Sequence, residues 1–248
     1  MNKNDFLNLY LLCFPEDDIK DAEKMWLLST SGKLLCRKVG GKPVAMLMLL
    51  PTTFCDEKSY GLYYIFAAGT HPDYRKQGIM EELLKEAYSA SLSDGKQGVF
   101  LRPATSNLFE YYGKRGFVPF SYYKTKEYAF KKGKAKVFSP DFDTFLNLRR
   151  QLLKKPFIEW NEPFLKANFD YFNVFSDGEN LLVCEFNDGT LCVRESFGDT
   201  DAIISAVAEK FNCEKVLIRH FGSGEPYTLI RTNTNIPSAY IGLTLDAF

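Results

Sequence analysis

The segment that most restricts the fold is Tyr64 to Phe117. It begins with an apolar run, Tyr64-Ile65-Phe66-Ala67-Ala68-Gly69-Thr70, that has strand character and ends in His71-Pro72-Asp73-Tyr74. Arg75-Lys76-Gln77-Gly78-Ile79-Met80 follows. The spacing predicts an amphipathic helix over Arg75 to Leu92, with Ile79, Leu83, Leu84, Ala87 and Tyr88 on one face. A helix start carries backbone N–H groups without helical partners, and the helix dipole adds positive potential there. Gly78 lets backbone approach a ligand, and Arg75 and Lys76 add charge. Together these features form a cradle suited to a diphosphate.

The surrounding pattern is mixed α/β. A helix is expected over Asp5 to Phe14, then a segment carrying Met25 and Trp26. Strands Leu34 to Val39 and Val44 to Leu50 flank the turn Gly40-Gly41-Lys42, and Tyr60 to Thr70 is a third strand. A short strand over Val99 to Arg102 precedes a helix over Ser106 to Arg115, stopped by Gly116. Phe117 to Phe120 and Lys124 to Phe130 read as further strands. Lys131-Lys132-Gly133-Lys134 is a solvated turn and the expected boundary between domains 1–133 and 134–248.

Beyond that turn, Ser139-Pro140 is read as opening a helix to Lys154, which Pro156 breaks. A second helix spans Glu162 to Tyr171. Strands Leu181 to Phe186 and Leu191 to Glu195 flank Asn187-Asp188-Gly189, and a helix follows over Asp199 to Phe211. Strands Lys215 to Arg219, Pro226 to Arg231 and Ala239 to Leu245 close the chain.

Two matches in order give the first half a family likeness. Pro72, Tyr74, Arg75 and Gly78 resemble the acetyl-CoA loop of the GCN5-related N-acetyltransferase (GNAT) family. Asn107 and the run Leu108 to Phe117, with Tyr112, Gly116 and Phe117, resemble the family's helix ending in Tyr-x-x-x-Gly-Phe. The resemblance covers about residues 1–130 and implies a mostly antiparallel, splayed central sheet flanked by helices. It implies acetyl-CoA as cosubstrate, with Ala68, Gly69 and Thr70 beside the pantetheine arm. Lys76, Gln77, Gly78, Ile79, Met80 and Glu81 would supply pyrophosphate-binding amides with Arg75, and Asn107 would meet the pantetheine or pyrophosphate region. Tyr112 stands where many members place the general acid that protonates the leaving thiolate; core packing is the alternative reading of a tyrosine there. His71 is expected to brace a turn. Met80 stands where a small residue is common, and Gly69-Thr70 replaces a commoner apolar pair.

Charge and composition narrow the partners. Residues 1–133 carry 19 basic and 15 acidic groups and residues 134–248 carry 12 and 16, too mild a contrast for a nucleic-acid track. The six cysteines form no CxxC pair and there are two histidines, so no metal is expected. The longest apolar run, Val44 to Leu50, is far short of a membrane span, and no signal core is read at the N-terminus. A cytoplasmic location with no membrane partner is therefore expected, with oligomeric state open.

The second half is read as a smaller, degenerate GNAT-like lobe. Gly198-Asp199-Thr200-Asp201 stands in the phosphate-loop position but is acidic, so it would repel an anion. The layout resembles bacterial tandem members, including Eis-like aminoglycoside acetyltransferases, which are longer. That group's terminal carboxylate reaches its active site, which makes the Phe248 carboxylate a candidate catalytic group here. The implied reaction is direct transfer of acetyl to a primary amine, with a small-molecule amine first and a protein lysine or N-terminus second. Asp56, Glu57, Glu110, the terminal carboxylate or water are the candidate bases. A non-catalytic acyl-CoA-binding module is the alternative. Trp160, Phe164, Phe169, Tyr171 and Phe172 are either core or an aromatic surface for a cationic amine.

Overall fold

A computed structural model describes residues 1–130 and 135–243. The expected boundary turn and Phe248 lie outside the described residues. The elements in chain order are α1 (Lys3–Cys13), α2 (Ile19–Ser29), β1 (Lys33–Val39), β2 (Lys42–Cys55), β3 (Ser59–Thr70), α3 (Ile79–Ser93), β4 (Gly98–Leu101), α4 (Ser106–Gly113) and β5 (Val118–Glu127). They continue as α5 (Phe142–Leu152), β6 (Phe157–Trp160), α6 (Glu162–Tyr171), β7 (Asn173–Ser176), β8 (Leu181–Asn187), β9 (Thr190–Phe197), α7 (Asp201–Lys210), β10 (Lys215–Phe221) and β11 (Glu225–Thr232). The fold is mixed α/β, with mostly antiparallel strands and flanking helices.

The chain divides into two compact units, and neither is one continuous stretch. Unit 1 is Met1–Phe120, Glu159–Phe164 and Tyr227–Pro237; unit 2 is Ser121–Ile158, Leu165–Pro226 and Ser238–Phe248.

In unit 1 the strand order is β1-β2-β3-β4-β11. β2 is antiparallel to β1 and β3, β3 is parallel to β4, and β4 is antiparallel to β11. The hydrophobic pattern foresaw β11 as a strand but gave it to the second half. Its register, Leu229↔Leu101 and Ile230↔Phe100, puts it beside β4, and Leu229 is buried in that core. A strand's own side-chain alternation says which face is buried, not which strand it pairs with.

Alternation sorts the two faces of this sheet. Leu47, Leu49, Tyr63, Ile65, Val99 and Leu101 face α3 and α4, meeting Leu83, Leu84, Ala87 and Tyr112. The alternating neighbours Tyr64, Phe66 and Phe100 pack with Trp160 and Phe164; Tyr64 and Trp160 meet edge to face at 5.0 Å, and Trp160 and Phe164 lie 4.5 Å apart. Trp160 and Phe164 are thus core residues, the packing reading of that aromatic cluster. Tyr171 is 64% exposed, and Phe169 packs on Phe142 and Phe145 in unit 2.

In unit 2 the strand order is β5-β10-β9-β8-β7, antiparallel except for β10 with β9. Its core joins Leu182, Cys184, Leu191 and Val193 to Ile203, Ile204 and Val207 of α7. Helix α5 starts at Phe142 rather than at Ser139, because the side chain of Asp141 accepts the Thr144 N–H at 2.8 Å and caps it. The final expected strand reduces, among the described residues, to a single bridge of Tyr240 with Phe157.

Beneath that bridge lies a buried charge pair. The Arg149 guanidinium donates to both oxygens of Glu195, at 3.1 and 3.0 Å, with both side chains fully buried. The Tyr240 hydroxyl donates to the same carboxylate at 3.0 Å. Gly242 packs directly on it: a Cβ there would lie 2.1 Å from Glu195 Oε1. None of the six cysteines is in a disulfide.

Candidate active site

The centre of unit 1 is the end of β3. Register shifts between Met46 and Met48, which pair with Gly69 and Phe66, so Ala67 and Ala68 together oppose Leu47. This is a β-bulge, and Ala67 takes it up with φ of 47°, a left-handed conformation uncommon for a residue with a Cβ. On its other side, β3 pairs with β4 through Tyr63↔Val99 and Tyr64↔Phe100, while β3 itself runs on to Thr70. The β3–β4 ladder therefore ends at Tyr64, and β3 runs on past the end of β4 at Leu101. Gly69, the next residue along the strand, is set by packing. It is buried, and a Cβ on it would lie 2.7 Å from Cys13 Cβ and 2.8 Å from Cys13 Sγ, so it admits the end of α1 against the strand.

The loop after β3 is tightly tied. The His71 N–H donates to Val44 O at 2.8 Å, and its Nδ1 accepts the Asp73 N–H at 3.2 Å, opening a 3₁₀ turn over Pro72–Tyr74. His71 therefore braces the turn. Arg75 Nε donates to Thr70 O at 3.1 Å and Gln77 Nε2 donates to Asp73 O at 3.2 Å. Helix α3 begins at Ile79 and not at Arg75. Lys76 and Gly78 are left-handed, with φ of 63° and 79°, and that conformation cannot propagate a right-handed helix.

Gly78 is the N-cap of α3, so no side chain caps the first-turn N–H groups. A Cβ added to it would meet nothing within 4 Å, so conformation and open space, not packing, call for glycine here. Arg75, Lys76, Gln77 and Gly78 are all exposed. Ile79 and Met80 turn their side chains onto the core, which leaves the loop's face to backbone and to the long cations.

Glu81, on the first turn, accepts from Arg115 Nη2 at 2.9 Å and pairs with Lys85 Nζ at 2.9 Å; these cations hold its carboxyl below the usual range, Lys85 first. Arg115 also donates to Tyr111 O at 2.7 Å and stacks over the Tyr111 ring at 3.6 Å. This clamp joins the start of α3 to the end of α4, where Tyr112 sits. The Tyr112 ring is 8% exposed, edge-on to Phe117 at 5.7 Å. Among the described residues no group hydrogen-bonds its hydroxyl. Burial is the main cause that pushes this phenol up to about 12, so it holds its proton throughout the neutral range.

Other expected residues fall elsewhere. Asn107 lies at the opposite end of α4 from Tyr112, exposed, where its Oδ1 accepts from the Thr105 hydroxyl. Asp56 and Glu57 sit in the turn before β3 begins, whereas the loop follows its end, so β3 separates them from the site by about 3.3 Å per residue. Glu110 is exposed and paired to Lys114 at 2.6 Å, which holds it ionised and lowers its basicity. In unit 2, the Gly198 turn is closed: Asn180 Oδ1 accepts the Asp199 N–H at 2.7 Å, and a Cβ on Gly198 would lie 2.0 Å from that oxygen. Sequence reasoning missed Ala67; the run Ala67-Ala68-Gly69 was the available signal, small side chains where backbone departs from a regular strand. Among the described residues no group of His, Cys, Asp or Glu is arranged to hold a metal, and no helix is long and apolar enough to cross a membrane.

Residues 3–117 match the model of the acetyltransferase (GNAT) family. No curated protein matches the sequence. Solved structures do share the fold. A GCN5-related N-acetyltransferase from Anabaena variabilis ATCC 29413 superposes with a TM-score of 0.71 at 14% identity, over 92% of this chain and 70% of that one. A GCN5-related N-acetyltransferase from Kribbella flavida gives 0.68 at 15% identity, over 94% and 70%. Eis1 from Mycobacterium abscessus gives 0.69 at 10% identity, over 94% and 72%.

Proposed function

We propose that this acyltransferase, which belongs to the acetyltransferase (GNAT) family through residues 3–117, moves the acetyl group of acetyl-CoA directly to a primary amine. The observation that carries the reading is one continuous backbone feature: a bulged β3 that runs on beyond its ladder with β4 and leads into a helix start with no side-chain cap. An extended thioester arm fits beside the part of β3 that runs on beyond β4, and a diphosphate fits the exposed N–H groups at the helix start.

In this reading the N–H groups of Lys76 to Glu81 bind the diphosphate, with Arg75 and Lys76 adding charge. The Glu81–Arg115 pair removes a carboxylate charge that would otherwise repel it. Ala68, Gly69 and Thr70 lie along the pantetheine arm, and a backbone N–H there polarises the thioester carbonyl. The neutral amine attacks that carbon, the C–S bond breaks, and the Tyr112 hydroxyl gives its proton to the leaving thiolate. Water takes the amine's proton. Cys13 is not the nucleophile, since burial pushes its thiol up to about 11.

The acceptor in this reading is a small-molecule amine, with protein lysines and N-termini second. Release of thiol from acetyl-CoA across a panel of both kinds tests it. Turnover on small amines that depends on Tyr112 supports it; acetyl-CoA binding with no turnover on any amine assigns the chain to acyl-CoA sensing.

A further inference from the structure

We propose that Arg115 is the positioning residue for Tyr112: its guanidinium ties the first turn of α3 to Tyr111, the ring that sets the orientation of the Tyr112 ring. The role rests on the acyl-transfer reading above, in which the Tyr112 hydroxyl gives its proton to the leaving thiolate. The family likeness covers Tyr112, Gly116 and Phe117 and leaves position 115 open.

No hydrogen bond aims the Tyr112 hydroxyl among the described residues, so the packing of its ring does. Two rings flank it edge-on. Tyr111 lies at 5.2 Å with 83° between the planes, and Phe117 lies at 5.7 Å with 64°. Phe117 is buried in the core of unit 1 and is fixed by it. Tyr111 is only partly buried, so its place depends on what grips it from outside.

That grip is Arg115. Its Nη1 donates to the Tyr111 carbonyl at 2.7 Å, and its guanidinium carbon lies 3.6 Å over the Tyr111 ring. Its Nη2 donates to Glu81 Oε2 at 2.9 Å, while Lys85 Nζ pairs with Glu81 Oε1 at 2.9 Å. Glu81 is in the first turn of α3, where the helix dipole favours a carboxylate. One planar group therefore holds a carbonyl, a ring face and a carboxylate at once. An ammonium can neutralise Glu81 but cannot supply the stacked fork. Arg115 thus has two separable effects: charge on Glu81, which lysine keeps, and the seat of Tyr111, which lysine loses.

The first arm of the test needs no turnover. The full chain is labelled with carbon-13 in its tyrosine rings, and the Tyr112 signals are identified by their loss in Tyr112→Phe. In both Arg115→Met and Arg115→Lys these signals should shift and show faster ring flipping. Signals matching the parent in both variants would overturn the proposal. The second arm uses acetyl-CoA with the small amine that the parent turns over fastest. Displacing a catalytic group lowers kcat by about 10–10²-fold, and this loss is expected for both variants. Acetyl-CoA affinity by calorimetry should fall with Arg115→Met and recover with Arg115→Lys. In a Tyr112→Phe background, Arg115→Lys should have little further effect on kcat, because residues that act as a unit are not additive. A kcat restored by lysine as fully as the affinity, or an equal loss in both backgrounds, leaves Arg115 only a charge or packing role and overturns the proposal. Parental kcat in Tyr112→Phe, or no turnover on any amine, instead overturns the acid assignment itself; the ring signals tell this failure from the other.

Discussion

Cys13 Sγ occupies the space that a side chain at position 69 would need: a Cβ on Gly69 would sit 2.8 Å from it. The last turn of α1 is thus seated against the strand that carries the bulge, where β3 runs on beyond β4. Gly69→Ala forces that contact open, and overpacking of this kind costs about 1–3 kcal/mol. Urea unfolding should show that loss. Cys13→Gly in the same background should recover most of it, because the clash is with Cys13 alone at under 3 Å. Equal losses in the single and double variants would mean that Gly69 is required for another reason.

Tyr112→Phe keeps the ring in the core and removes the hydroxyl. Loss of a general acid lowers kcat by about 10²–10⁴-fold, while acetyl-CoA affinity should change little, because the phenol is assigned to the leaving group. Unfolding should barely move, since no described group hydrogen-bonds that hydroxyl. A merely structural Tyr112 would leave kcat within a few-fold of the parent.

The pH dependence of the same residue has a fixed sign. The phenol is pushed above its ordinary value of 10.0 to about 12, so the acid form persists as pH rises. The kcat profile should show no falling limb from this group below about pH 11. For stability, a raised folded-state value contributes fully below pH 10 and is lost as pH climbs toward 12. Alkaline unfolding of the parent and of Tyr112→Phe, compared over that window, reads the difference directly.

At the loop, Gly78→Ala places a Cβ in a left-handed residue with open space around it, so the cost is conformational, about 1–2 kcal/mol. Titration calorimetry should show weaker acetyl-CoA binding, because relaxing the strain re-aims the N–H groups. Arg75→Ala should also weaken binding and should flatten its dependence on salt, since a charge contact is screened and a backbone contact much less so.

In unit 2, Glu195→Ala leaves the Arg149 guanidinium buried without its carboxylate, a change that costs about 3–5 kcal/mol. Replacing both partners with apolar residues of similar size should cost far less. Chemical denaturation of the single and double variants checks this. Gly242→Ala should be comparably damaging, since its Cβ would collide with Glu195 Oε1 and lie 2.8 Å from Arg149 Nη2.

Much of unit 1 was legible because its signals are local. The apolar alternation in β3, the heptad-like face of α3 and the Arg75 to Gly78 loop each depend on residues within a few positions of one another. Gly78 is read from the sequence as allowing close backbone approach to a ligand, and the structure adds a left-handed φ that glycine adopts freely; Gly69 is a different case. Its φ is ordinary, and its reason is Cys13, more than fifty positions away in sequence. The start of α3 was misread because helical spacing extends backward through Arg75, and spacing carries no information about the left-handed turn at Lys76.

The sequence by itself determined that the chain is mixed α/β, that a phosphate-suited helix start follows β3, and that a tyrosine-bearing helix comes after β4. Those are consequences of periodicity, glycine and charge, which act over one or two turns of chain. Only the tertiary structure decided that residues 227–237 belong with the first unit, that Trp160 and Phe164 fill its core, and that Glu81 is neutralised by Arg115. Strand pairing and ion pairing join positions remote in the chain, and their energy depends on register and distance that no local pattern encodes.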